Sequence, residues 1–324
     1  MTSFEERIEN NKWLVFTAII TGFAAIKIID SLYRPFWFDE LFTLRIAQAP
    51  SLTGLWETLG PTDPSPPLYY IITRLFQTVF GCGELATRLP AIISFLAALF
   101  FLFLILDTRC RAITAITGVL LMCLSPAALL ITNARTYTFI LALCTISLWF
   151  WQVAAANNQW TLPLCGLFLS LSMALYSHFY AFFLFVPIVT GEIYRSFKIK
   201  RIAWPVWLAL LLAAATFIPL IPLAARCTSL SKGFWSKPTL AVFLRSSYLF
   251  SSPALAVLMA FIISICVQYF RKKTTCGQFA RAKIYTERSP AAHEVVAAVG
   301  LTLIPILGFI IALCFTNAFT NRYF

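Results

Sequence analysis

Residues 88–106 read RLPAIISFLAALFFLFLIL. After Arg88 the run has no charge, and Ser94 is its one polar side chain. At 1.5 Å per helical residue it is long enough to cross the roughly 30 Å hydrocarbon core of a bilayer. Outward from it lie further apolar runs at 13–30, 112–132, 136–155, 160–176, 178–194, 203–224, 254–270 and 295–315. The composition agrees: 60% of the chain is apolar and 12% charged, against roughly 45–50% and 25% in soluble domains. That excludes a soluble enzyme, a disordered chain and a nucleic-acid-binding domain. It predicts an all-α polytopic membrane protein with about nine transmembrane helices.

The net charge of +12 sits mostly between the apolar runs, where it orients the chain and meets anionic lipid headgroups. Nucleic acid is not an expected partner. The nine Cys are scattered, with no C-x-x-C pair, so neither a metal site nor a disulfide framework is indicated. Segments 195–201 (RSFKIKR) and 271–294 are the most basic short stretches, which places both in the cytoplasm. Parity then puts the N-terminus inside and the loop 31–87 outside. The stretch 67–80 is apolar but has Arg74 at its centre. A central Arg costs about 2.5–3.5 kcal/mol on insertion, so this stretch is expected to lie in the interface. Lys27 and Glu192 are the charged residues inside or near the ends of spans, and neither shows an obvious counter-charge in the sequence.

The external side collects the chemistry. Six of the thirteen acids fall from Asp30 to Glu84, in a connection far longer than the others, and long loops of this kind are usually functional. Asp39 and Glu40 stand in RPFWFDELF, beside the first span and among aromatic residues. A carboxylate there is partly desolvated and becomes a better base; Asp39 also suits the N-cap of a helix starting at Glu40. TDPSPPLYY (62–70) holds Asp63 and Tyr69, GELATRLP (83–90) holds Arg88, NARTY (133–137) holds Arg135 and Tyr137, YSHFY (176–180) holds His178, and NRYF (321–324) holds Arg322. Parity brings all of them to one membrane face.

WFDE, DPSPPLYY, FGCGELATRLP, NARTY and YSHFY, in this order and spacing, resemble the membrane glycosyltransferases of the GT-C fold. The likeness is closest to family 39 and its bacterial relatives, which include dolichyl-phosphate-mannose protein mannosyltransferases, lipid A aminoarabinose transferases and Rgt-type galacturonosyltransferases. The resemblance implies that the acidic pair of the first external loop carries the catalytic Asp, here Asp39 with Glu40 beside it. It implies one GT-C-like domain over 1–324, with 31–87 as first external catalytic loop and 225–253 as second external loop. Relatives commonly continue past an R-Y motif, so the chain is expected to be a short member or a truncated one. Many relatives have a His before the Pro pair where this chain has Ser65. A divalent metal is therefore left open and its ligands unknown.

The resemblance further implies a sugar donor on a polyprenyl phosphate. Phosphate is a good leaving group, so one base suffices, unlike the paired carboxylates of glycoside hydrolysis. Direct displacement inverts the anomeric centre. Cations should hold the phosphate as its charge grows; Arg135 and Arg322 are the first candidates, then Lys232 and Lys237. Asp63, Tyr69, Arg88, Tyr137 and His178 would complete the substrate site. The acceptor is a lipid, glycan or protein. The expected location is a bacterial inner membrane, with the site extracytoplasmic. The alternative class is a polytopic transporter or lipid flippase, which needs charged residues at mid-membrane.

Overall fold

The computed structural model describes residues 4–59, 63, 65–125, 128, 133–156, 161–231, 237–244 and 290–316. In chain order the helices are α1 (Phe4–Asn10), α2 (Lys12–Tyr33), α3 (Phe38–Ala47), α4 (Leu52–Thr58), α5 (Leu68–Phe80), α6 (Glu84–Asp107), α7 (Ala112–Leu124), α8 (Tyr137–Ala156), α9 (Thr161–Leu175), α10 (Phe185–Ile199), α11 (Trp204–Ala215), α12 (Ile221–Ser231) and α13 (Ala292–Ile311). No strand occurs among the described residues. The protein is an all-α polytopic membrane protein.

Five helical runs are long and apolar enough to cross a membrane: Lys12–Tyr33, Glu84–Asp107, Tyr137–Ala156, Trp204–Arg226 and Ala292–Cys314. Ala112–Leu124 and Thr161–Leu175 are apolar but shorter. Helix α7 leaves helical geometry at Ser125, the residue before a proline, where the α conformation is disfavoured. The run expected at 178–194 opens instead with a 3-10 turn, Phe179–Leu184, ahead of α10. The run expected at 254–270 lies outside the described residues.

Helix α6 is the centre of the first half, packed against α2, α5, α7 and α8. Its buried face carries Ile92, Phe95, Leu99 and Phe103, which meet Phe16 of α2 and Ile116 and Val119 of α7. Helix α9 packs on α8 and α11, and α10 on α13. A Cβ at Gly300 of α13 would stand 2.9 Å from the Pro187 Cα, so only glycine allows these two helices so close.

Ion pairs gather at the two ends of the bundle. At one end Lys12 meets Asp107 at 2.7 Å, Arg111 meets Glu5 at 2.8 Å and Arg109 meets Glu294 at 2.8 Å. These join the start of α2, the end of α6 and the start of α13. At the other end Arg88 meets Glu40 at 2.7 Å, and the Leu68 N–H donates to the Tyr176 carbonyl at 2.9 Å. The chain therefore alternates between ends as a polytopic protein must. Glu192 does have a counter-charge: Arg195, one helical turn on, meets it at 2.8 Å, and the Trp151 indole N–H donates to it at 3.0 Å. The i,i+3 spacing puts the two on one helical face; their burial and the Trp151 contact depend on α8. Lys27 lies over the Phe23 ring.

Helix α5 does not cross. Its start touches Tyr176, and further along Gln77 donates to the Thr87 hydroxyl at 3.0 Å, so both ends meet the same end of the bundle. Its 13 residues would span only about 20 Å. Arg74 reaches the carbonyls of Ala47 and Ala49, capping the end of α3. Gly81 closes α5 at φ +86°, a left-handed position that favours glycine.

Candidate active site

The site is built at the end of the bundle that holds α3 and α5. Helix α2 stops at Tyr33, and Pro35 two residues later cannot continue it. The last carbonyls of such a helix need donors, and Arg88 supplies them. Its guanidinium donates to the carbonyls of Ser31 at 3.0 Å, Arg34 at 2.6 Å and Pro35 at 3.0 Å. It also donates to both Glu40 oxygens, at 2.9 and 2.7 Å. All five of its N–H donors are thereby used.

Glu40 is equally committed. Besides Arg88, its carboxylate accepts from the backbone N–H of Trp37 at 2.8 Å and of Ala134 at 2.7 Å. Both side chains are 0% exposed. Burial acts to raise the Glu40 pKa, but the donors from Arg88, Trp37 and Ala134 outweigh it and hold the carboxyl below its usual value. The pair ties together the end of α2, the start of α3, the second turn of α6 and the turn before α8. Arg34 adds a second tie to that turn, donating to the Asn133 side chain at 2.8 Å.

Helix α3 begins at Phe38, with Trp37 in the capping position. The expectation that Asp39 caps a helix starting at Glu40 is thus corrected. The first-turn N–H of Trp37 goes to Glu40, three residues on, which has the longer reach of a capping-box side chain. Asp39 sits one position before Glu40, about 100° round the helix, and is half-buried. Its backbone carbonyl accepts a long contact, 3.4 Å, from Arg135.

Arg135 forms an ion pair with Asp63. Their side chains are 17% and 7% exposed. Burial works against the charge of Arg135, but the Asp63 carboxylate beside it raises its pKa above the usual guanidinium value. Asp63 also accepts from the Ser65 hydroxyl at 3.1 Å. Tyr69 and Tyr70 are 0% exposed, and burial pushes both phenols up. Tyr69 lies in the field of Arg135 and Glu40, and Tyr70 in that of Asp63 and Arg135.

His178 occupies the turn between α9 and the 3-10 segment. Its Nδ1 accepts from the Tyr180 N–H at 3.1 Å, which leaves the proton of the neutral ring on Nε2. Its ring lies 6.5 Å from that of Tyr137. Burial pushes the imidazole down to about 4; nearby Asp63 opposes this and Arg135 adds to it. At neutral pH His178 is an uncharged hydrogen-bonding group, not a cation.

The structure therefore gathers Asp39, Glu40, Asp63, Tyr69, Arg88, Arg135, Tyr137 and His178 at one end. Lys237 is exposed and makes no ion pair with this group among the described residues. Lys232 and Arg322 lie outside the described residues. Sequence reasoning missed the locked Glu40–Arg88 knot and the Ser65–Asp63 contact. With Trp37 in place of a Ser or Thr the capping-box signature is absent from the sequence, and nothing local marks Glu40 or Arg88 as buried. Among the described residues no group of three or more His, Cys, Asp and Glu comes together to hold a metal ion.

Residues 64–222, just under half of the chain, match the family model described as dolichyl-phosphate-mannose-protein mannosyltransferase. The match includes Tyr69, Arg88, Arg135, Tyr137 and His178; Asp39, Glu40 and Asp63 precede it. No curated protein and no solved structure matches the chain. The match supports a membrane glycosyltransferase of the GT-C type, similar to family 39, and the apolar spans with a polar site at one end of the bundle are consistent with it.

Proposed function

We propose that the protein transfers a hexosyl or pentosyl unit from a polyprenyl-phosphate donor to an acceptor hydroxyl, with inversion, at the extracytoplasmic face of a bacterial inner membrane. In this reading 1–324 act as one domain, with 31–87 as the catalytic loop and 225–253 as a second external loop. The observation that carries it is the placement of Asp39, half-buried and with its backbone carbonyl 3.4 Å from Arg135, beside the buried Arg135–Asp63 pair at one end of an apolar bundle.

Asp39 acts as general base. The acceptor hydroxyl gives its proton to the Asp39 carboxylate as its oxygen forms a bond to the anomeric carbon. The bond from that carbon to the phosphate oxygen breaks, and its electron pair leaves with the lipid phosphate. The growing negative charge is met by Arg135, an arrangement that favours the transition state over the ground state. Arg322, Lys232 and Lys237 are proposed to contribute from the C-terminal third of the chain. Tyr69, Tyr137 and His178 line the sugar with hydroxyl and neutral N–H groups. Glu40 and Arg88 take no part in the chemistry; they fix the distance between α3 and the turn carrying Arg135.

The test is transfer from a polyprenyl-phosphate sugar by the purified chain, with the anomeric configuration of the product read by NMR. An inverted product supports the reading. A retained configuration, or transfer from a nucleotide sugar in place of the lipid donor, overturns it.

A further inference from the structure

Two acid–arginine pairs stand at this end of the bundle, and they differ in how firmly they are held. Glu40 receives two N–H groups from Arg88 and two backbone N–H groups. Arg88 spends its remaining donors on three carbonyls. Neither can accept a new partner without breaking a buried contact. Asp63, by comparison, takes Arg135 and the Ser65 hydroxyl, with the buried Tyr70 phenol beside it, among the described residues. Its backbone lies outside any helix, held to Leu59 by one isolated bridge. Arg135 has five N–H donors; among the described residues they meet Asp63, the Asp39 carbonyl at long range and the Tyr137 hydroxyl. Among the described residues these contacts do not fill all five donors, and its charge is already neutralised by Asp63.

We infer that Asp63 is the built-in counter-anion of the donor-phosphate subsite, yielding Arg135 to the incoming lipid phosphate and reclaiming it after transfer. This rests on the reading of Arg135 as the phosphate ligand. A phosphodiester donor carries one negative charge, so the exchange is one anion for another at a buried cation. After the sugar leaves, the lipid phosphate is a monoester with additional charge and binds Arg135 more strongly. Competition from Asp63 offsets that gain and speeds product departure. The same carboxylate keeps Arg135 from standing buried and unpaired when no lipid is bound, which is a costly state for a desolvated charge.

The experiment measures binding of polyprenyl phosphate to the purified protein and three variants. Asp63→Asn keeps the shape and removes the competing charge. It should bind about tenfold tighter, the scale of one charge-assisted contact, and its steady-state rate should fall more than its single-turnover rate. Asp63→Glu keeps the charge and should show no tightening. Weaker binding by Asp63→Asn would mean that Asp63 merely positions Arg135, and tightening in both variants would mean loosened packing; either overturns the exchange. Where Asp63→Asn does not fold, Asp63→Ser carries the same expectation. Arg135→Ala separates the two layers of the argument. Unchanged lipid-phosphate affinity in that variant removes the phosphate reading itself, whereas lost affinity with no Asp63→Asn tightening removes only the exchange.

Discussion

Asp39 and Glu40 are neighbours with the same chemistry and different fates. Glu40 has its two oxygens filled by four donors, so it cannot take a proton from a substrate without dismantling the knot. Asp39→Asn should therefore lower single-turnover transfer by roughly 10²–10⁴-fold, the usual contribution of a general base, and leave the thermal midpoint near wild type. Glu40→Gln should do the reverse in emphasis. Breaking a buried ion pair by removing one charge costs about 3–5 kcal/mol, so its thermal midpoint should drop. A Glu40→Gln protein as stable as wild type, with Asp39→Asn fully active, would contradict both assignments. His178 gives a pH expectation. Its folded pKa, about 4, lies below its ordinary 6.5, so between these values the unfolded chain binds the extra proton. Stability should rise with pH across that window and fall as pH drops from 6.5 towards 4. Thermal midpoints from pH 4 to 7 should show the slope, and His178→Gln should flatten it.

Helix α5 shows how an element's position depends on its neighbours. Its length and Arg74 were enough to argue against crossing, and its contacts at both ends agree. Along one face, Ile71, Leu75 and Val79 lie at successive four-residue steps, with Leu75 and Val79 60% and 72% exposed. Spin labels at these three positions should report similar depths in a bilayer. An upright helix would instead separate the first and last by about 12 Å, and a depth gradient of that size would rule out the interfacial placement. Arg74 contributes separately, because it caps α3. Arg74→Ala should leave those carbonyls short of a donor and cost about 1–3 kcal/mol, seen as a lower thermal midpoint.

For the whole molecule, the alternation of ends makes sidedness a single binary choice. The proposed orientation puts the α3–α5 end outside. Ser51→Cys, exposed at the start of α4, and Lys198→Cys, exposed near the end of α10, sit at opposite ends. In intact cells and a background free of other Cys, an impermeant thiol reagent should label Ser51→Cys and spare Lys198→Cys. The reverse pattern inverts the orientation and moves the site to the cytoplasm.

Membrane class and the helical nature of the chain were legible in the sequence because they rest on local quantities. Run length, apolar content and charge at run ends are sums over neighbours in the chain, and the bilayer filters on those sums. The site's membership was legible in part for the same reason, since parity sends alternate loops to one end. The partnerships were not. Arg88 is separated by 48 residues from Glu40 and Asp63 by 72 from Arg135, and no periodicity carries information over that distance. The sequence shows several acids and several arginines at one end of a bundle. Only packing decides that Arg88 is exhausted by three helix-end carbonyls and Glu40, that Arg135 pairs with Asp63, and that of two adjacent carboxylates Glu40 is buried as a strut while Asp39 stays half-exposed. The physical reason is desolvation. Burying a charge is costly enough that each buried group must find all of its partners at once, and those partners come from whichever elements fold beside it.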